Sequence, residues 1–263
     1  MRGTRPRLEE HMTVQVRREG AVLVLTIDRP QVANALDQAT LDSLADQLRS
    51  AAADPTVRAV VLTGTGDRAF SAGLDLRALA EHGVPDPATS PVNLLRGGFP
   101  TPVVAAVNGA AVGGGFELAL ACDLRVAAEH AVFALPEVGR GLAATEGGTD
   151  LPRHLPLAVA LEIGLTGAPL SATRAHELGL VNQVVPAGEV LAAALRLAGA
   201  IAAHSPAAVA ATKALMRSSL TAGAAEQERA NRAATAELLA GPDAVEGARA
   251  FLAKRPPRWA TPS

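Results

Sequence analysis

Apolar positions along the chain follow two periods, and each change of period marks an element. Residues 14–17 and 22–28 are short β-branched runs separated by Glu19-Gly20, the chemistry of a hairpin. Residues 37–53 switch to helical spacing through Leu41, Leu44, Ala45 and Leu48, and Asp54-Pro55 supplies a stop. Continuous apolar runs over 58–63 and 103–107 read as strands. Each leads into a glycine-rich turn and then a helix, over 75–82 and 114–121. Residues 124–128 are a further extended segment and 131–135 a candidate for another. This repeated strand–turn–helix order predicts an α/β architecture. After Pro156 the spacing turns helical, over 157–165, 172–178, 190–203, 206–218, 222–240 and 243–254, with Gly and Pro between. Residues 85–91, rich in Pro, Asp and Ser, are expected to form a mobile loop near a site.

Composition narrows the function classes. The 263 residues are long enough to bury a sizeable core, and the hydrophobic half is mostly Ala, Val and Leu. Five Phe, one Trp and no Tyr leave little for base-stacking platforms, and a net charge of −2 is no footprint for phosphate backbones. No nucleic-acid partner is therefore expected. Cys122 is the only cysteine, and the six histidines are scattered without ligand spacing, so no metal site is expected. No unbroken apolar stretch reaches about 18 residues, and residues 1–12 carry no apolar signal core, so they read as a flexible tail. Neither a membrane span nor a secretory leader is expected, and a cytoplasmic location is the default.

Three stretches carry chemistry. In the first, Asn108 to Asp123, the run Gly113-Gly114-Gly115 precedes an apolar helix. Glycines there are costly unless the backbone must come close to something, and amides at a helix start suit an oxyanion. Glu117 follows within the first turn; a favourable charge at the helix start would explain it equally well. In the second, Phe133 to Gly141, Glu137 lies between an apolar segment and an irregular turn, either ion-paired with Arg140 or functional. Two carboxylates in apolar surroundings can divide the roles of acid and base. In the third, Ala69 to Leu76, Gly73 lies between a strand and a helix, with Asp75 placed as a helix cap. Its alternatives are an ordinary turn, or a second backbone donor that converges with the glycine run.

Two tempting motifs fail. Gly64-Thr-Gly-Asp-Arg-Ala69 nominally fits a dinucleotide fingerprint, but no long helix follows and no strand ends in an acidic residue about 20 positions on. Ser71 lacks a nucleophile elbow and an evident histidine partner.

Together the three stretches resemble the crotonase (enoyl-CoA hydratase/isomerase) superfamily, from about Val14 to Trp259. The resemblance implies a spiral of ββα turns over 13–200 and a helical C-terminal region over 201–263, assembled as a homotrimer or dimer of trimers. It implies an acyl-CoA thioester substrate, as in fatty acid β-oxidation, with no separate cofactor because coenzyme A is part of the substrate. Leu74 and Gly114 match the family's oxyanion donors, and Glu117 and Glu137 its catalytic pair. Ala33, Ala72, Asp75, Leu76 and Gly113 match CoA- and substrate-contacting positions, and Phe251 and Lys254 match a neighbouring subunit's tail that reaches the CoA. Isomerases commonly keep only the carboxylate matching Glu137, the naphthoate-synthase branch relies on a Tyr absent here, and the dehalogenase Asp–His pair is not recognisable. The implied activity is enoyl-CoA hydratase, a hydro-lyase. Enoyl-CoA isomerase and carnitinyl-CoA dehydratase are enzymatic alternatives within the fold, and a non-catalytic binding homologue of the same fold is a more distant one. One departure is Glu146, where hydratases usually carry a small residue; it reads as solvent-facing, with recognition of a polar or cationic acyl group as the other option.

Overall fold

A computed structural model describes residues 12–260. The tail expected over 1–12 lies, Met12 apart, outside the described residues. Strands β1 (Val14–Glu19) and β2 (Val22–Ile27) form the expected hairpin, turning at Gly20 with φ +60°. Helix α1 (Gln38–Ala53) starts where the Asp37 side chain accepts from Thr40 N–H, and buries Leu41, Leu44, Ala45 and Leu48.

The spiral then begins. Strands β3 (Ala59–Gly64) and β4 (Ala69–Ser71) with helix α2 (Leu76–His82) make one turn. Helix α3 (Pro91–Arg96) leads into the next, made by β5 (Val103–Val107), β6 (Ala110–Val112) and α4 (Gly114–Ala121). Strands β7 (Leu124–Ala128) and β8 (Val132–Ala134) follow, then 3-10 segments at Glu137–Arg140 and Gly148–Arg153 and helix α5 (Leu157–Thr166). The remainder is β9 (Leu170–Ser171), α6 (Ala172–Glu177), β10 (Gln183–Val185), α7 (Val190–Ala202), α8 (Pro206–Ser218), α9 (Ala224–Ala240) and α10 (Pro242–Leu252).

The first strand of each turn joins a six-stranded sheet, β1-β2-β3-β5-β7-β10, and the second a four-stranded sheet, β4-β6-β8-β9. Apart from the two antiparallel pairs β1–β2 and β8–β9, neighbours are parallel. Strands β3 and β5 are buried along their whole length. Burial on both faces is why they read as continuous apolar runs rather than alternating ones. Helix α7 packs across β3, β5 and β7 and closes that face.

Three features depart from expectation. Strands β4 and β6 are three residues long, too short to leave a period. Strand β10 pairs in parallel with β7 inside the stretch that reads as helical. Residues 85–91 are structured: the Asp86 and Ser90 side chains cap a 3-10 turn over Pro87–Thr89 and then α3, with Ser90 buried. Helices α7 and α8 bend through 106° at the break capped by Ser205, and no single helix among the described residues is long and apolar enough to cross a membrane. Helix α8 is tied back to the core. Lys213 Nζ lies 2.7 Å from Asp123 Oδ2 and Arg217 Nη2 2.7 Å from Asp123 Oδ1.

Candidate active site

Two buried asparagines shape the turn from β3 to β4. Asn34 Nδ2 donates to the carbonyls of Thr65 (3.0 Å) and Ala69 (2.8 Å). Asn108 accepts from Gly64 N–H (3.0 Å) and donates to the Gly66 carbonyl (2.8 Å). Beyond β4 the chain passes Gly73 at φ +84°, where a side chain would strike the Val112 carbonyl at 2.6 Å and the Gly114 nitrogen at 2.9 Å. Leu36 N–H donates to the Gly73 carbonyl and Asp75 N–H to the Leu36 carbonyl, at 2.8 and 2.9 Å. In such a parallel bridge, the amide of the intervening residue points the opposite way. Leu74 N–H therefore faces away from Leu36, toward the start of α4, where a methyl group on Gly114 would lie 3.6 Å from it.

The three glycines at that start answer three separate demands. Gly113 has φ +55°, and a side chain there would meet Glu137 Oε1 at 3.0 Å. Gly114 is the first residue of α4, whose N–H has no partner within the helix. Gly115 lies so close to β4 that a methyl group would sit 2.2 Å from the Ser71 carbonyl oxygen. The other end of α4 is held by Arg125, buried and donating to the carbonyls of Ala119 (3.1 Å) and Cys122 (2.9 Å). Cys122 itself is fully buried, which pushes its thiol up to about 12.

Glu117 is buried, and its Oε1 accepts from Gly147 N–H and Gly148 N–H, both at 2.9 Å. Glu137 opens the first 3-10 segment, with Oε2 buried and without a hydrogen-bond partner among the described residues. Burial raises its pKa above the ordinary carboxylate range, and the charge of Glu117 adds to the shift. The alternative ion pair does not form: Arg140 turns away to the Pro136 carbonyl, at 3.3 Å. The two glutamates thus flank the first turn of α4, one from within the helix and one from across Gly113.

The structure corrects the expectation for Glu146. It is half-buried rather than solvent-facing, and its Oε2 accepts from Ser90 Oγ at 2.9 Å. Burial raises its pKa, with Glu117 again contributing. Sequence reading also missed the amides of Gly147 and Gly148 as partners of Glu117, although a Gly doublet after a carboxylate was the available signal.

The remaining candidates divide. Ala33, left-handed at φ +54°, accepts from Ala72 N–H at 3.0 Å, which joins the two backbone loops. Asp75 caps α2 and pairs with Arg29 at 3.1 Å, so its carboxylate is engaged within the fold. Leu74 and Leu76 are partly exposed. A cleft of about 350 Å3 runs beside them, lined by Leu36, Gln38, Leu74, Asp75, Ala78 and Val84 among others. Phe251 and Lys254 lie at the end of α10, which packs on α9, and are not gathered with the glutamates within one chain. Ser71 is buried, and its hydroxyl donates to the Asn34 carbonyl at 2.9 Å, a structural role. Gly64 ends β3 and is followed by β4 rather than a helix, which disposes of the dinucleotide motif.

The family model described as enoyl-CoA hydratase/isomerase matches residues 17–262. The chain belongs to the enoyl-CoA hydratase/isomerase family, within the crotonase superfamily. It is 40% identical to a carnitinyl-CoA dehydratase from Salmonella arizonae, over 94% of this chain and 98% of the relative. Among solved structures, an enoyl-CoA hydratase from Mycobacterium tuberculosis is 38% identical with a TM-score of 0.89, covering 96% of this chain and 100% of that one. An enoyl-CoA hydratase from Mycobacterium marinum is 40% identical with a TM-score of 0.87, again covering 96% and 100%. The enoyl-CoA hydratase/isomerase fold is thus the α/β spiral with a helical C-terminal region described above. Membership carries hydratase/isomerase-type chemistry on acyl-CoA-type substrates.

Proposed function

We propose that the chain is a hydro-lyase of coenzyme A thioesters, interconverting a 3-hydroxyacyl-CoA and a 2-enoyl-CoA. The single observation that carries this reading is the pair Glu117 and Glu137 flanking the first turn of α4. The 40% identity to a carnitinyl-CoA dehydratase favours a specialised dehydratase over a general straight-chain hydratase.

In this reading the amides of Leu74 and Gly114 receive the thioester oxygen and stabilise enolate character as charge develops. Glu117 has one oxygen held by Gly147 and Gly148. Its other oxygen orients the water or the departing hydroxyl group. In hydration, Glu117 takes a proton from the water as its oxygen bonds to the β-carbon, and Glu137 delivers a proton to the α-carbon. In dehydration, Glu137 removes the α-proton, and Glu117 protonates the hydroxyl that leaves as water. Burial moves the pKa of Glu137 upward, the direction that suits a group delivering a proton.

The same reading assigns the cleft beside Leu74 to the CoA arm and assembles three copies, so that Phe251 and Lys254 cover a neighbour's CoA. Phe251 is 84% exposed in the single chain, as a residue waiting for such a surface would be. The test is turnover of a panel of 2-enoyl- and 3-hydroxyacyl-CoA thioesters by wild type, Glu117→Gln and Glu137→Gln. Each variant is expected to lose about 10²–10⁴-fold in kcat; wild-type rates in both would overturn the assignment.

A further inference from the structure

Arg29 has no part in the proposed acid–base steps, yet its guanidinium ties together the backbone that presents the Leu74 amide. Leu74 is held by an isolated bridge to Leu36, made of two hydrogen bonds rather than a ladder. Arg29 spans that bridge. Its Nη1 donates to the Ala35 carbonyl at 2.6 Å, and its Nη2 lies 3.0 Å from Asp37 Oδ2 and 3.1 Å from Asp75 Oδ2. Ala35 and Asp37 flank Leu36, and Asp75 follows Leu74. Each carboxylate is used twice. Asp37 Oδ1 accepts from Thr40 N–H at the start of α1, and Asp75 Oδ1 from Arg77 and Ala78 N–H at the start of α2. One guanidinium thus joins the starts of the two helices that line the cleft beside Leu74. The three side chains are only 15%, 25% and 14% exposed, so water screens the cluster poorly.

We infer that Arg29 is a positioning residue that keeps the Leu74 amide aimed at the thioester oxygen. The inference rests on the oxyanion amides of the hydro-lyase reading and adds to them a residue that touches no reacting atom. An oxyanion donor is effective when it already points to where charge develops. On one side of Leu74 stands Gly73, the residue type with the widest backbone freedom, so the aim of the amide is set from the Asp75 side. Arg29 itself is fixed, since its N–H donates to Asn34 Oδ1 at 3.1 Å and its carbonyl accepts from Asn34 N–H at 2.9 Å. A planar guanidinium reaches a carbonyl and two carboxylates at once, whereas a lysine ammonium is a point donor on a flexible stem.

The experiment uses the full chain and a 2-enoyl-CoA whose double bond is conjugated to a dimethylaminophenyl ring. Hydrogen bonds to its thioester oxygen draw electron density through the conjugated system and move its absorption to the red. Wild type is expected to shift the bound probe to longer wavelength, and Arg29→Met to give no more than about half of that shift at saturation. With crotonyl-CoA, Arg29→Met is expected to lose about 10–10²-fold in kcat while KM stays within about threefold of wild type. Arg29→Lys keeps the charge and is expected to fall between the two in both readouts. A full shift or a wild-type kcat in either folded variant, or a loss carried by KM alone, would overturn the inference. Unfolding of both variants would overturn it too, in favour of a purely structural role. Wild type that shifts the probe but turns over no enoyl-CoA would overturn the hydro-lyase reading alone. Wild type with no shift would overturn the oxyanion amides and the inference together.

Discussion

At the scale of single residues, Glu137 combines its proposed chemical task with a cost to the fold. Its folded-state pKa is raised by burial, so folding favours the protonated form. That stabilising preference is fully present below the unfolded value near 4.5 and is lost as pH rises through the higher folded value. Glu137→Gln should therefore melt above wild type at pH 8 and close to it at pH 4, while activity falls. Paired thermal melts at the two pH values check the sign. Gly114 offers a cleaner test of the proposed oxyanion amides. As the first residue of α4 it tolerates Pro, which removes the N–H without an intrahelical bond to lose. Gly114→Pro should keep its fold by circular dichroism and lose about 10²–10³-fold in kcat.

At the scale of elements, the start of α4 is fitted to β4 through a backbone-to-backbone approach at Gly115. Gly115→Ala must push the helix off the strand, because the obstructing atom is a carbonyl oxygen rather than a flexible side-chain end. Urea denaturation should show a loss of about 2–3 kcal/mol. Gly199 is the contrast: inside α7, exposed, with nothing within 4 Å of an added methyl group. Gly199→Ala should stabilise the chain by about 0.5–1 kcal/mol in the same measurement. The residues that begin β1, β2, β5, α4, α5, α7 and α8 were all legible from period and punctuation. The three-residue strands β4 and β6 were not, since so short a segment has no period and is held by its neighbours in the sheet.

At the scale of the whole molecule, one carboxylate pairs with two cations of helix α8. Asp123, just past α4, receives both Lys213 and Arg217 from α8. Asp123→Asn leaves two cations facing each other in a poorly hydrated place, and should cost on the order of 3 kcal/mol in urea unfolding. The proposed assembly belongs to this scale too. Light scattering should give a mass three or six times that of one chain, and Phe251→Asp should raise KM for the CoA substrate more than it lowers kcat.

Taken alone, the sequence determined the longer strands and helices, the glycine-rich turns, and the pair of glutamates proposed for the site. Those features are local: apolar period, turn residues and a carboxylate in an apolar run are written in a few consecutive positions. Tertiary structure decided the rest. It brought Gly147 and Gly148 onto Glu117, turned Arg140 away from Glu137, buried Ser71 as a structural hydroxyl, and folded Glu146 inward against Ser90. In each case the deciding partner lies on another element or across a turn of the chain. Which donor reaches a carboxylate, and how much water remains beside it, depends on how the turns of the spiral stack and on no local pattern.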